Sequence, residues 1–523
     1  MKIKLIATLA IAVFVSSYSP AQKVLAQEDI INQIIAEAND SSQLEALAHE
    51  LFDVIGPRLV GSPQMKKAHE WAVNKYAQWG IPARNEQWGE WLGWERGISH
   101  IDMISPRVKT LNGMQLAFSP PTTKKGTTAE LIIFSGIKDS LDFRNWLPKV
   151  NGKFVLFAPH LANGRPTENL EKWAKNEESL LRMKSEREQS KKDFQTDLKN
   201  TGLSKKLAAL AMEEAGAVGI IESNWSDYSG ANKIFRSHTK QIPTIDISLE
   251  DYGMLYRMAL NNDNPQIKVV TESKFLGAVP AFNTIAEIKG TELPDEYVIL
   301  SAHFDSWDGG SGATDNGTGT ILMMETARIL KKLYPNPKRT ILIGHWGAEE
   351  QGLHGSKAFV EDHPEVIEGA QVVFNQDNGT GRVFRMNGQG FLNAYDFLEE
   401  WLTNVPGENK NEIEREYPGL PGRGGSDHSS FVAKGVPVFN LFGKQWDYGT
   451  YTWHTNLDTY DKIVFEDVRN NVVIAAILAY MASEDPEKAS REQRLLPMNK
   501  KTGERTTWPE PKSPNRRGYL DEY

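Results

Sequence analysis

The 523-residue chain contains no cysteine. That excludes disulfides, a thiol nucleophile, thiolate metal ligands and a lipid-modified N-terminal cysteine. Long hydrophobic runs are missing too: the apolar stretch 5–15 is too short to cross a bilayer and no other run is long enough, so no membrane span is expected. Positive charge is not in excess. The formal net charge is −9, and nothing favours nucleic acid as a partner. Internal repeats and low-complexity tracts are absent. At about 150 residues per domain, the length suggests two to four units.

Two lysines, the apolar stretch 5–15 and then small residues give segment 1–26 the form of a secretory signal peptide. Cleavage after Ala21 and after Ala26 fit equally, and the mature protein is expected to be soluble and either secreted or periplasmic. Residues 27–48 are helical in pattern. Gly-Pro and Gly-Ser-Pro turns then separate two further helical segments, and a Trp-rich section near 94–97 reads as strands. Together 27–125 are the expected N-terminal part of a catalytic domain.

The texture changes near residue 126. Short apolar runs at 129–134, 153–157 and 218–221, a small helix at 206–217, and a run at 241–247 whose proline suits an edge strand suggest a β-rich unit over 126–275. No candidate site falls inside it. Its densely charged excursion 165–200 reads as solvated surface helices rather than a partner-binding arm. Residue 283 begins a strand returning to the first core, the catalytic region runs over 276–486, and 487–523, rich in Lys, Arg, Pro and Glu, reads as an extended tail.

Chemistry concentrates in 297–357. Runs 297–300 and 340–343 read as buried parallel strands with a helix from about 318 to 333 between them, and ligands bind beyond the carboxyl ends of such strands. His303 and Asp305 follow the first strand and Asp315 sits in a Gly-rich loop before the helix. Glu349 and Glu350 follow the second strand, Asp377 follows a third apolar run at 371–374, and His454 lies in a later loop, HTNLDT. A carboxylate at the end of a buried strand is tolerated when paired or metal-bound, and this mixture of imidazole and carboxylate suits divalent cations. Two neighbouring glutamates cannot easily bind one ion from the same direction. One can ligate while the other faces substrate and handles protons, which is the chemistry of a two-metal hydrolase.

SAHFDSW at 301–307, ATDNG at 313–317 and GAEEQG at 347–352, in this order and spacing, resemble the di-zinc exopeptidases of the aminopeptidase and carboxypeptidase Q type. GPRL at 56–59 and WERG at 94–97 resemble the carboxypeptidase Q branch. The similarity runs from about 40 to 485, and the unit at 126–275 resembles a protease-associated domain. The resemblance implies an α/β fold, a mixed, mostly parallel central sheet flanked by helices with a β-rich insertion. It also implies two zinc ions per chain. Asp315 would bridge both, His303 and Asp377 would complete one site, and Glu350 and His454 the other. Glu349 would be the general base acting on a water between the ions, Asp305 would orient the His303 imidazole, and the Asp315–Asn316 peptide would be cis.

The implied substrates are short peptides or dipeptides, with aminopeptidase, carboxypeptidase and dipeptidase specificity left open, and a homodimer is a further expectation. A glutaminyl cyclase-like acyltransferase and a metal-free receptor-like relative are the alternatives; the insertion argues against the first and the full ligand set against the second. Arg423 is a candidate anchor for a substrate carboxylate, Ser426, Asp427 and His428 candidate pocket residues, and Tyr451 a candidate oxyanion donor. His345 and His354 are near the site in sequence but are not expected to ligate.

Overall fold

The computed structural model describes residues 20–522, so the apolar stretch 5–15 of the expected signal peptide lies outside the described residues. Helix α1 (Pro20–Asp40) buries Ile31, Ile34 and Ala38 on one face. Strand β1 (Ala83–Ser105) and the short β2 (Gly113–Gln115) lead into β3 (Thr127–Ile133) and β4 (Phe154–Leu156), then helix α2 (Glu177–Asn200), β5 (Gly219–Glu222) and β6 (Thr244–Ile247). Strand β7 (Gln266–Ile288) returns the chain to β8 (Leu293–His303), helix α3 (Thr318–Leu333), β9 (Arg339–Trp346) and β10 (Ala370–Asn375). Then come β11 (Val438–Asn440), helix α4 (Phe465–Glu484) and β12 (Arg517–Gly518).

All of these strands share one thirteen-stranded sheet, along which the main order is β11-β10-β8-β9-β7-β3-β4-β5-β6-β2. Two parallel blocks are visible, β11-β10-β8-β9 and β3-β4-β5-β6. Between them β7 runs antiparallel to both β9 and β3. Strand β1 lies along β7 from Ala83 opposite Ala286 to Ser105 opposite Gln266, so a two-stranded ribbon joins the catalytic block to the inserted one.

Every residue of β9 and of β10 is buried. Parallel strands with helices on both faces read as unbroken apolar runs, which is why these strands were legible in the sequence. Helix α4 is buried almost all round, as expected of a helix inside a large core. The helix expected at about 318–333 spans those residues.

Three expectations are corrected. The returning strand begins at Gln266, not 283, because Lys268, Glu272 and Lys274 alternate outward and hide the strand's first half. Pro243 precedes β6, and β6 is not an edge: β2 pairs with its outer side. The insertion carries more helix than its β-rich reading suggested, since α2 alone has 24 residues against 7, 3, 4 and 4 in β3 to β6. Parallel strands require crossovers, usually helical. Only Arg187 of α2 is buried, in keeping with a solvated helix.

The tail is extended but not free. Trp508 Nε1 donates to the Val432 carbonyl at 2.9 Å, β12 pairs parallel with β1, and the Tyr519 ring packs 5.1 Å from Trp91 and 5.3 Å from Phe118. A few aromatic anchors overcome a composition that otherwise signals disorder.

Helix α1 is tied to α3 by a buried ion cluster. Arg328 donates to Glu325 Oε2 at 2.8 Å and to Glu37 Oε1 at 2.7 Å, while Glu325 Oε1 accepts from the Gln43 backbone at 3.0 Å. Glu325→Ala would leave the buried guanidinium with one carboxylate fewer. We expect a loss of about 3–5 kcal/mol, the cost of breaking a buried pair, measured as a drop in denaturation midpoint; an unchanged midpoint would show the cluster to be dispensable.

Candidate metal centre and substrate cleft

Neighbouring parallel strands bring distant residues to one edge. His303 closes β8, Glu349 and Glu350 follow β9, and Asp377 follows β10. Asp315 lies in the turn before α3 and His454 in the loop before α4. His303 Nε2 is 3.5 Å from Asp315 Oδ1 and 3.2 Å from Asp377 Oδ1. His454 Nε2 is 3.2 Å from Asp315 Oδ2 and 2.8 Å from Glu350 Oε2. Two groups result, His303–Asp315–Asp377 and Asp315–Glu350–His454, each with its ligand atoms within 4.8 Å of one another and sharing Asp315.

Nitrogen and oxygen ligands held about 2.0–2.2 Å from a tetrahedral ion lie about 3.3–3.6 Å apart. The observed separations are close to that, so the donor set fits zinc. Among the described residues, buried Asp315 Oδ2 and Glu350 Oε1 have no hydrogen-bond donor, a costly condition for carboxylate oxygens unless a cation serves them.

The surroundings aim these groups. The fully buried Arg58 donates to the carbonyls of Phe304, Ser311 and Gly312 at 2.7, 2.7 and 2.8 Å, bracing the loop into Asp315. Asp458 accepts from the backbone of Thr314 at 2.8 Å and of Asp315 at 3.0 Å. Asp305 reaches two partners, His303 and the Glu-Glu turn. Its backbone carbonyl, at 3.0 Å, accepts from His303 Nδ1, whereas its carboxylate accepts from the amides of Glu349 and Glu350 at 3.0 and 3.2 Å. It therefore holds the Glu-Glu turn as well as the imidazole. A Cβ at Gly319 would come within 2.5 Å of Asn316 Oδ1 and 2.7 Å of the Gln376 carbonyl, so only glycine lets the Asp315 and Asp377 loops approach. The Asp315–Asn316 peptide is cis, as the resemblance implied.

So many buried carboxylates disturb one another. Burial, then Asp377, Asp427 and Glu350, push the Glu349 carboxyl well above its ordinary range against the pull of His303. Burial and Asp315 do the same to Glu350. For Asp315, burial is outweighed by His303, His454 and the Tyr448 hydroxyl, and its pKa falls. Burial lowers His303, but Asp377, Glu349, Asp305 and Asp315 hold the imidazole well above its usual value. Clusters of this kind mark functional sites.

A cavity of about 780 Å³ opens onto Asp315, Glu349, Glu350, Asp377 and His454. Arg423 lines it, with Nη2 donating to the Thr507 carbonyl. Ser426 and His428 line an adjoining cavity of about 310 Å³. Asp427 lines neither, being fully buried and pushed up to about 7 by burial. Tyr451 is misplaced for oxyanion binding: its ring stacks on Tyr228 at 3.9 Å and faces a separate cavity. Tyr448, one turn earlier, is buried, lines the main cavity and hydrogen-bonds toward Asp315. Spacing to His454 pointed to this turn but could not say which ring faces inward. His345 bonds Tyr76 at 2.7 Å and His354 accepts from the Asn515 amide at 3.0 Å, so neither joins the cluster.

The insertion, which had no candidate site, touches this one. Ile234 N donates to the His454 carbonyl at 2.7 Å, and the Phe235 ring meets the His454 ring edge-on at 5.4 Å.

Residues 283–479 match Peptidase family M28. Carboxypeptidase Q of Rattus norvegicus is 26% identical over 447 residues, covering 84% of this chain and 85% of the relative. The crystal structure of a peptidase M28 precursor from Shewanella amazonensis superposes with a TM-score of 0.64 at 26% identity, covering 90% of this chain and 99% of that one. A zinc aminopeptidase from Bacillus subtilis shares the fold, with a TM-score of 0.55 at 20% identity and coverage of 86% and 97%.

Proposed function

We propose that the chain is a zinc exopeptidase of the carboxypeptidase Q type, as its similarity to that family supports, and that it binds two zinc ions and hydrolyses short peptides or dipeptides with Glu349 as general base. The observation that carries this reading is the pair of three-residue clusters sharing Asp315. His303 and Asp377 would hold one ion, Glu350 and His454 the other, and Asp315 both. Zinc in these positions supplies Lewis acidity, polarising a carbonyl and making water nucleophilic near neutral pH. We read 126–275 as a protease-associated domain and 1–26 as an export signal.

The chain's own groups then divide the proton and charge handling. Glu349 faces the cavity while its neighbour Glu350 turns to His454. A carboxyl raised by burial can accept a proton from the attacking water and return it to the leaving amine. Asp305 fixes the turn on which both glutamates sit. Tyr448, whose hydroxyl bonds toward Asp315 and lines the cavity, would turn that proton to the developing oxyanion.

Metal analysis together with a panel of dipeptides and blocked peptides tests the reading. Two zinc ions per chain and release of free amino acids are expected; a pure preparation that takes up no divalent ion, or yields only pyroglutamate from Gln-peptides, would end it. Tyr448→Phe should lower kcat about 10²–10³-fold with zinc content intact, the usual cost of an oxyanion donor. Tyr451→Phe should leave kcat nearly unchanged. Equal effects in steady-state assays would remove Tyr448 from this role.

A further inference from the structure

We propose that the C-terminal strap 507–513 is the specificity wall of the cleft, and that Lys512 on the strap and Lys357 beside it in the cavity lining hold the free carboxylate of a dipeptide-sized substrate. The proposal rests on the peptidase reading above and adds what limits substrate length and which terminus is recognised.

The cavity is lined both by the metal-site residues and by Pro509, Pro511, Lys512 and Ser513. The strap is tied down at both ends. Before the cleft, Trp508 donates to the Val432 carbonyl at 2.9 Å and packs 5.2 Å from Phe391, and Arg423 grips the Thr507 carbonyl. Beyond it, the Asn515 amide donates to His354 Nδ1 at 3.0 Å, and Arg516 donates to Asp362 Oδ1 at 2.7 Å, Glu361 Oε1 at 3.1 Å and the Trp88 carbonyl at 2.8 Å. Strand β12 follows directly. Prolines at 509, 511 and 514 fix φ along the crossing. A segment anchored at both ends and stiffened between them is a fixed part of the cavity lining.

The charge on this wall suits an anion. Lys357 and Lys512 line the cavity with Arg423 and Lys434. Lys357 is half-buried, donates to the Gly352 carbonyl at 2.7 Å, and lies close enough to Lys512 and to Glu349 for each to act on its charge. Of the acidic lining groups outside the metal cluster, Glu361 is neutralised by Arg516, which leaves Glu510 against the four cations. A carboxylate between two ammonium groups gains charge-assisted hydrogen bonds that an amide or a continuing chain cannot make.

Steady-state kinetics of the zinc-loaded enzyme on alanyl-alanine, its C-terminal amide and tetra-alanine tests this. The expected result is a kcat/KM for alanyl-alanine at least about tenfold above either competitor. Lys512→Gln and Lys357→Gln should each raise KM for alanyl-alanine about tenfold and cut the preference for alanyl-alanine over its amide by a similar factor. A chain ending at residue 506 should gain on tetra-alanine relative to alanyl-alanine; the exposed Lys512→Gln substitution carries the test if that truncation does not fold. Equal kcat/KM for dipeptide, amide and tetrapeptide, or lysine variants with unchanged KM, overturns the proposal while the peptidase reading stands. Failure of the zinc-loaded enzyme to cleave any of the three removes both.

Discussion

Glu349→Gln is expected to keep its full zinc content and lose turnover by about 10²–10⁴-fold, the usual contribution of a positioned general base. The substitution is nearly isosteric, and the Glu349 amide would still donate to Asp305, so the turn that also carries Glu350 should survive. What disappears is the one carboxylate of the pair that is not committed to His454. Because both ions would be retained, a fall in kcat with little change in KM separates proton handling from metal loss. Zinc content by atomic emission and kcat at saturating dipeptide are the two readouts. Wild-type turnover in the glutamine variant would sink the assignment.

Asp315→Asn should have the opposite signature, with zinc content falling and activity falling with it. Asp315 Oδ1 and Oδ2 face different histidines, at 3.5 and 3.2 Å, so this carboxylate is the only group common to both clusters. An amide presents one neutral oxygen and an NH2 group, and the second ion would meet a donor where it needs a lone pair. The backbone amide bonds to the Asp458 carboxylate and the packing around Gly319 do not involve the Asp315 side chain, so the fold should persist and thermal melting should show it. An Asp315→Asn protein that retains two zinc ions and normal turnover would dissolve the shared-ligand arrangement.

Buried parallel strands are unbroken apolar runs, and helix α3 has one apolar face. Those two patterns placed β8, β9, β10 and α3 in the sequence within a few residues. Position beyond a strand end then marked His303, Asp305, Glu349, Glu350 and Asp377 as candidates, because a carboxylate there needs a partner. Asp315 and His454 needed the motif order as well, since neither follows a strand.

Where the reading went astray, the deciding contact was between residues far apart in the chain. The turn at Tyr448–Tyr451 offers two phenols, and only the stacking of Tyr451 on Tyr228 from the insertion settles which one is left to face the cleft. The 487–523 tail has a disordered composition, and its role as a cleft wall depends on seats for Trp508 and Tyr519 supplied by Val432, Trp91 and Phe118. Local composition and periodicity therefore determined the strands, the buried helices and the acidic and imidazole groups at their ends, because burial and desolvation act on each residue where it stands. Which phenol and which lysines face the cleft was decided only by tertiary packing, because those orientations are set by partners that no local pattern names.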